Sequence, residues 1–177
     1  MKKTVLKEYA KDLIKSHSSE LFNDKTEQVL EKFEKLQSDQ DAFKGIPTGF
    51  KRLDRMTNGL QAGALIVLAA RPGMGKTSFV LNIATNVAKR GLPVAVFSLE
   101  MTKEQLAQRV LSTEARVEST KMRTGQLTPD EWVRIAAATS ALNDCPLYFD
   151  DTSGINVQEI KAKIRREKNV DVVIIDY

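Results

Sequence analysis

The chain has 177 residues, of which 42% are hydrophobic and 28% charged, with 27 Lys and Arg against 23 Asp and Glu for a net charge of +4. That composition suits one globular domain with a true core rather than a disordered chain. No apolar run approaches the roughly 18 residues that a membrane span needs, and the single cysteine, Cys145, excludes an internal disulfide framework. The opening MKKTVLKEYAKDL has lysines but no apolar block behind them, so it does not read as a secretion signal. A cytosolic protein with no membrane association is expected.

The charge is unevenly placed. Residues 1–43 hold 8 Lys and Arg and 9 Asp and Glu, whereas residues 44–177 hold 19 and 14. The basic surplus therefore belongs to the second part, where it would tolerate a polyanion without requiring one.

In residues 5–37 the apolar positions recur at helical spacing, first Leu6, Tyr9, Leu13 and Ile14, then Val29, Leu30, Phe33 and Leu36. Two short helices are predicted, broken near residues 18–24, with Asp24 and Glu27 as a capping box for the second. Their apolar stripes must be buried on the rest of the chain or on a neighbouring subunit, and the pattern alone leaves both open. The stretch SDQDAFKGIPTGFKRLDRMTNGLQAG has the Gly, Pro, Asn and Asp content of loops and turns. It places a boundary near residue 43, between a helical linker or arm (1–43) and a second domain (44–177).

From residue 64 strand and helix patterns alternate. ALIVLAA (64–70) reads as a strand, TSFVLNIATNVAKR (77–90) as a helix ended by Gly91 and Pro93, and PVAVFSL (93–99) as a second strand. Thr102 and Gln105 cap a helix from 103 to about 115. Thr128, Pro129 and Glu131 open another that reaches Leu142. PLYFDD (146–151) is a short strand, Asn156 and Glu159 open a helix to about 168, and VDVVIID (170–176) is the last strand. Continuous β-branched runs separated by helices imply an α/β fold, a parallel sheet covered on both faces.

Between the first strand and its helix lies A-R-P-G-M-G-K-T, residues 70–77. It follows the phosphate-binding pattern G-x-x-x-x-G-K-[ST] except at Ala70, where a small residue suffices if the backbone angles are ordinary. In that pattern the loop of Ala70, Arg71, Pro72, Gly73, Met74 and Gly75 wraps phosphates with the backbone N–H groups of its non-proline residues. Lys76 neutralises the β- and γ-phosphates, and the Thr77 hydroxyl holds Mg²⁺. The flanking strand and amphipathic helix supply the required context, with the helix N-terminus aimed at the anion. A nucleotide with Mg²⁺ is the expected ligand.

Hydrolysis also requires a group that orients water. In parallel α/β sheets ligands lie at the carboxyl ends of strands, which nominates Glu100 after PVAVFSL and Asp176 after VDVVII. A lone acid at a strand end is more often solvated or a helix cap, but beside a phosphate loop the balance reverses. Asp176 then reads as the Walker B carboxylate holding Mg²⁺ through water, and Glu100, with Lys76, as catalytic. Asp150 and Asp151 are less well supported, because they begin a turn that ends at Gly154.

The blocks GIPTGFKRLDRMTNGLQAGALIVLAARPGMGKTSF, FSLEM, ARVESTKMRTGQLTPDEW, YFDDTSGINVQEIKAKIRREK and VVIIDY, in that order, resemble the bacterial replicative DNA helicase, the DnaB family, in its RecA-like ATPase domain. The resemblance runs from about residue 43 to 177. It implies a RecA-like P-loop NTPase, part of an ATP-driven motor that forms a hexameric ring on single-stranded DNA and separates the duplex, with primase and a helicase loader as further partners. The family's functional lysine, threonine, glutamate and aspartate fall on Lys76, Thr77, Glu100 and Asp176. Residues 1 to about 40 are similar in position and character to the family's linker helix, which docks on the adjacent subunit.

The family also has an N-terminal domain for which this sequence has no room. Its further strands, sensor residue, DNA-gripping loops and arginine finger follow the last block found here. The chain is therefore expected to be a fragment or an interrupted reading frame, with an incomplete sheet and exposed apolar surface near its last strand. The rival reading is a non-catalytic nucleotide-binding adaptor or inhibitor of a helicase ring. A related recombinase or primase-helicase module fits the ESTKMRTGQLTPDEW block less well.

Other features have plainer explanations. KAKIRREK (161–168) is basic, but Ile160 and Ile164 form an apolar stripe that leaves the lysines on a solvated face. Lys121 and Arg123 lie on a connecting segment facing either solvent or an interface. Trp132 and the other aromatic residues are expected in the core, and His17 on the surface.

Overall fold

The computed structural model describes Val29 and residues 45–167 and 169–177. The two N-terminal helices apart from Val29, the Asp24–Glu27 box and His17 lie outside the described residues. Gly45–Tyr177 forms the second of two compact units into which the chain divides, and it contains every strand described below.

The strand β1 (Val94–Ser98) is buried at every residue. Its side chains alternate between two faces, so Val94 and Val96 point one way and Ala95 and Phe97 the other. It pairs in parallel with β2 (Leu147–Asp150) on one side and β3 (Val172–Asp176) on the other, giving the order β2-β1-β3. The register sets Phe97 opposite Asp150 and Ser98 opposite Asp176. The expected α/β architecture with a parallel sheet is thus present.

Around this sheet lie the helices α1 (Lys51–Thr57), α2 (Lys76–Ala88), α3 (Lys103–Ala115), α4 (Ser119–Thr124), α5 (Pro129–Leu142) and α6 (Val157–Arg166). One face of the sheet is covered by α2 and α3: Val94 and Val96 cluster with Leu81, Ile83, Ala84, Val87, Leu106 and Val110. Leu106, Val87, Val94 and Val96 are essentially inaccessible to water, and each such burial contributes about 1.5–3 kcal/mol. Ala95 and Phe97 on the other face meet Ile160 of α6, with Ile155, Ile164 and Val170 packed around them. The apolar stripe of α6 is therefore buried as expected, and the basic residues Lys161, Arg165 and Arg166 are exposed.

All three capping boxes expected in this region form, at Thr102 with Gln105, Thr128 with Glu131, and Asn156 with Glu159. Two short helices, α1 and α4, were not legible as such. The segment read as turns contains α1, anchored because the Asp54 carboxylate turns back to accept the Thr48 N–H at 2.8 Å, the Thr48 hydroxyl at 2.6 Å and the Gly49 N–H at 3.2 Å. Burial raises the Asp54 pKa, but these donors outweigh it and hold the carboxyl below its ordinary value. The Thr48 carbonyl in turn accepts from the Asn86 amide at 3.0 Å, and Phe50 stacks on Phe79 with centroids 4.8 Å apart, fastening this segment along α2.

The expected strand 64–70 is not formed. ALIVLAA carries a strand's composition, but a strand exists only where a neighbour accepts its hydrogen bonds. Among the described residues it pairs with no strand, and Leu65 is 91% exposed. The outer edge of β3 is likewise unpaired among the described residues, and Val173 and Ile175 are exposed. The expectation of exposed apolar surface near the last strand holds.

Trp132 is the second correction. It is 58% exposed rather than in the core, and Tyr148 and Tyr177, also expected there, are exposed as well. The inward side of α5 is set by Glu131, Ile135 and Ala138, the last two packed with Ala115, Val117 and Leu111. At roughly 100° per residue, Trp132 and Val133 are carried to the outer side.

The join between α4 and α5 rests on a carboxylate. Glu131 is buried, and its Oε1 accepts from Lys121 at 2.8 Å while Oε2 accepts the Thr128 N–H at 2.9 Å and the Thr128 hydroxyl at 3.1 Å. Lys121, left undecided by sequence, thus faces a partner inside the fold. The Lys121 ammonium, then the Thr128 N–H, hold the Glu131 pKa down to about 2, against an ordinary 4.5. A depressed folded-state value stabilises the fold above the unfolded-state pKa and loses that contribution as pH falls through the folded-state one. Glu131→Gln should therefore lower the melting temperature at pH 7, and the gap from wild type should narrow as pH drops from 4.5 towards 2. Thermal unfolding of both proteins at pH 7 and at pH near 3 checks this; an equal gap at both would contradict it.

Candidate nucleotide site

The site is assembled where α2 begins and where β1 and β3 end. Helix α2 starts from Gly75, which has a left-handed backbone (φ 84°) and provides no side-chain cap. The first N–H to bond back along the helix is that of Phe79, to the Gly75 carbonyl at 2.9 Å. The N–H groups of the first turn are thereby left for another acceptor. Just upstream, the Met74 N–H closes a turn on the Arg71 carbonyl at 3.2 Å, and Gly73 is also left-handed at φ 76°. A Cβ at either glycine would meet nothing within 4 Å, so the requirement for glycine is conformational rather than one of space. Ala70, Arg71, Pro72, Gly73, Met74 and Gly75 form an exposed loop ahead of the helix.

The side chains at the start of α2 meet the end of β3. The Thr77 hydroxyl donates to Asp176 Oδ2 at 2.7 Å, and Lys76 Nζ lies 3.2 Å from Asp176 Oδ1. Lys76 also donates to the Tyr177 carbonyl and lies 5.3 Å from the centre of its ring. Asp176 is 4% exposed. A carboxyl group buried to that degree needs hydrogen-bonding partners, and Lys76 and Thr77 supply them. Three residues singled out from sequence, two of them 99 positions apart in the chain, are in direct contact.

Glu100 stands in the turn after β1 and is exposed. That turn is adjacent to the end of β3, because the Leu99 N–H donates to the Asp176 carbonyl at 2.9 Å. Lys76, Thr77 and Asp176 are joined to one another and not to the Glu100 side chain, which stands on the same rim of the sheet.

The acids at the end of β2 have separate tasks. Asp150 accepts from Lys163 at 2.5 Å and from the Thr152 N–H at 3.0 Å. Burial raises its pKa, but Lys163 and Thr152 outweigh this and hold it to about 2. Asp151 accepts the Lys103 N–H at 3.1 Å, the contact that chiefly lowers its pKa, and pairs with the Lys103 ammonium at 3.3 Å. The sequence signal for Asp151 was its place beyond a strand end; its partner on another element is visible only in three dimensions.

Among the described residues no cluster of three or more His, Cys, Asp or Glu side chains is arranged for a metal ion, and no helix is long and apolar enough to cross a membrane. The oxygen pair at Thr77 and Asp176 is of another kind. It consists of hard donors, few in number, as suits Mg²⁺, which keeps several waters and takes further ligands from phosphate.

Comparisons with known proteins identify the family. A family model described as DnaB-like helicase C terminal domain matches residues 45–177. The replicative DNA helicase DnaB of Geobacillus stearothermophilus is 46% identical over 154 residues, covering 85% of this chain and 34% of the relative. The replicative DNA helicase DnaC of Bacillus subtilis (strain 168) is 47% identical over the same length, with the same coverage. The chain thus spans about a third of the length of these curated relatives. Among solved structures, a DnaB-like replicative helicase, studied for its interactions with primase, superposes with a TM-score of 0.79 at 30% identity, over 85% of this chain and 38% of that one.

The left-handed start of α2 yields a test that needs no ligand. Gly75→Ala should destabilise the nucleotide-free protein by about 1–2 kcal/mol, the cost of holding an L-residue in that conformation. Urea denaturation of the two proteins measures it, and equal midpoints would contradict a left-handed backbone at residue 75.

Proposed function

The chain belongs to the DnaB-like helicase C-terminal domain family, and from that membership we propose that it is the nucleotide-binding part of an ATP-driven motor that unwinds duplex DNA at the replication fork. The observation that carries the proposal is the convergence of Lys76 and Thr77 on Asp176 at the rim of a parallel sheet. That constellation couples a phosphate loop to an acid at the end of a neighbouring strand, which is what binding of a nucleoside triphosphate requires.

In this reading residues 70–75 wrap the phosphates with backbone N–H groups, together with the uncapped first turn of α2. Lys76 turns from Asp176 to the β- and γ-phosphates, lending its charge where negative charge is greatest. Thr77 and Asp176 would hold Mg²⁺, which when bound neutralises charge on the phosphate oxygens. Glu100, exposed on the adjoining turn, accepts a hydrogen bond from water and orients it towards the γ-phosphate. The outer partners follow from the family: single-stranded DNA, further copies of the subunit in a hexameric ring, and primase and a helicase loader in the cytoplasm. The arm at 1–43 serves as the linker that docks on an adjacent subunit, and 44–177 as the ATPase part.

Two substitutions separate binding from chemistry. Lys76→Ala should abolish binding of a fluorescent ATP analogue; unchanged affinity would sink the nucleotide assignment. Glu100→Gln should keep affinity within about threefold while lowering the hydrolysis rate by about 10²-fold or more, the range for a general base. Single-turnover hydrolysis of labelled ATP reads the second effect, and a rate equal to wild type would remove Glu100 from the chemistry.

A further inference from the structure

The turn that carries Glu100 is held from both sides of β1, and we propose that Asp151 is the positioning residue on the β2 side. The turn spans residues 99–102, between the last residue of β1 and the first of α3. On the β3 side the Leu99 N–H bonds to the Asp176 carbonyl at 2.9 Å. Beneath the turn, the hydroxyl of Ser98, itself 2% exposed, accepts the Met101 N–H at 3.0 Å. At its far end the Thr102 N–H bonds to Gln105 Oε1 at 3.1 Å. A further fixed point, on the β2 side, is the Lys103 N–H, and its acceptor is Asp151 Oδ2 at 3.1 Å, with the Lys103 ammonium 3.3 Å from Oδ1.

The sheet register makes this contact possible. Phe97 stands opposite Asp150, so the residue after β2, Asp151, leaves the sheet beside Ser98, where β1 gives way to the turn. Both carboxylate oxygens of Asp151 are directed to one residue, the first of α3. A charge at a helix start gains from the free N–H groups there, and that alone would make Asp151 a stabilising cap. Its location gives it more to do, because the helix start it fixes lies in the same short connection as Glu100, whose side chain is exposed. A carboxylate that holds a water in line takes its aim from the backbone beneath it, and a displacement of about 1 Å at a reacting group can cost about 10² in rate. Asp150, next in the chain, is a natural contrast: it pairs with Lys163 and Thr152 rather than with the turn.

The inference rests on the proposed role of Glu100, and two readouts keep the two apart. The first is independent of catalysis: amide hydrogen exchange at Leu99 and Met101 in the 177-residue chain. Asp151→Ala should speed exchange there at least about tenfold, and Asp150→Ala should not; unchanged exchange in Asp151→Ala overturns the positioning claim whatever Glu100 does. The second is single-turnover ATP hydrolysis alongside affinity for a fluorescent ATP analogue. Asp151→Ala should lower the rate about tenfold at unchanged affinity, and Asp151→Asn, whose amide oxygen still accepts from Lys103, should recover most of it. Asp150→Ala should lower the melting temperature without changing the rate per bound nucleotide. If Asp151→Ala instead loses rate and affinity together, as a general loss of fold would, the inference fails. If exchange responds as expected but Glu100→Gln hydrolyses like wild type, the positioning stands and the catalytic reading of Glu100 falls.

Discussion

The parallel pairing of β3 with β1, in the register that sets Asp176 opposite Ser98, is the constraint on which the site depends. It brings the end of the last strand beside the turn after β1, and it presents the Asp176 carboxylate to the first turn of α2. The apolar faces fix that register. A slip of one residue would turn Val172 and Ile174 away from the cluster formed with α2 and expose them, while moving Asp176 off the rim. Packing that has no polar contacts of its own therefore determines where these polar side chains meet.

The loop 70–75 is held unequally. On its helix side it is secured through α2, through the Phe50–Phe79 stack and through the Thr48–Asn86 bond that fasten the preceding segment alongside. On its other side the apolar run 64–70 pairs with no strand among the described residues. The Asp176 contact supplies the tie that a paired strand would otherwise share. Lys76 and Thr77 satisfy a carboxylate that is almost fully buried, and that carboxylate in turn keeps both side chains at the rim.

Much of this was legible in the sequence because it is local. The boxes at Thr102, Thr128 and Asn156 lie within four consecutive residues each, and their helices begin where those residues stand. The phosphate loop is also a contiguous pattern, and the acids ending β1 and β3 could be nominated from strand polarity alone. Trp132 was misplaced because its type favours burial, whereas α5 uses Glu131, Ile135 and Ala138 as its inner side. The inner side of a helix is chosen by what it packs against. The short helix α1 was missed for a related reason, since its anchor is a carboxylate reaching back six residues to Thr48.

The sequence by itself determined the strands β1, β2 and β3, the starts of α3, α5 and α6 at their capping boxes, and the family to which the motifs point, because each of these is written in neighbouring residues. The tertiary structure alone decided that ALIVLAA is not a strand, that Lys121 belongs to Glu131, and that Asp151 holds the start of α3. Those outcomes depend on which partner is within reach: a strand requires a second strand, and an ion pair a counter-charge. A pattern along one chain specifies the need for a partner without specifying which group answers it.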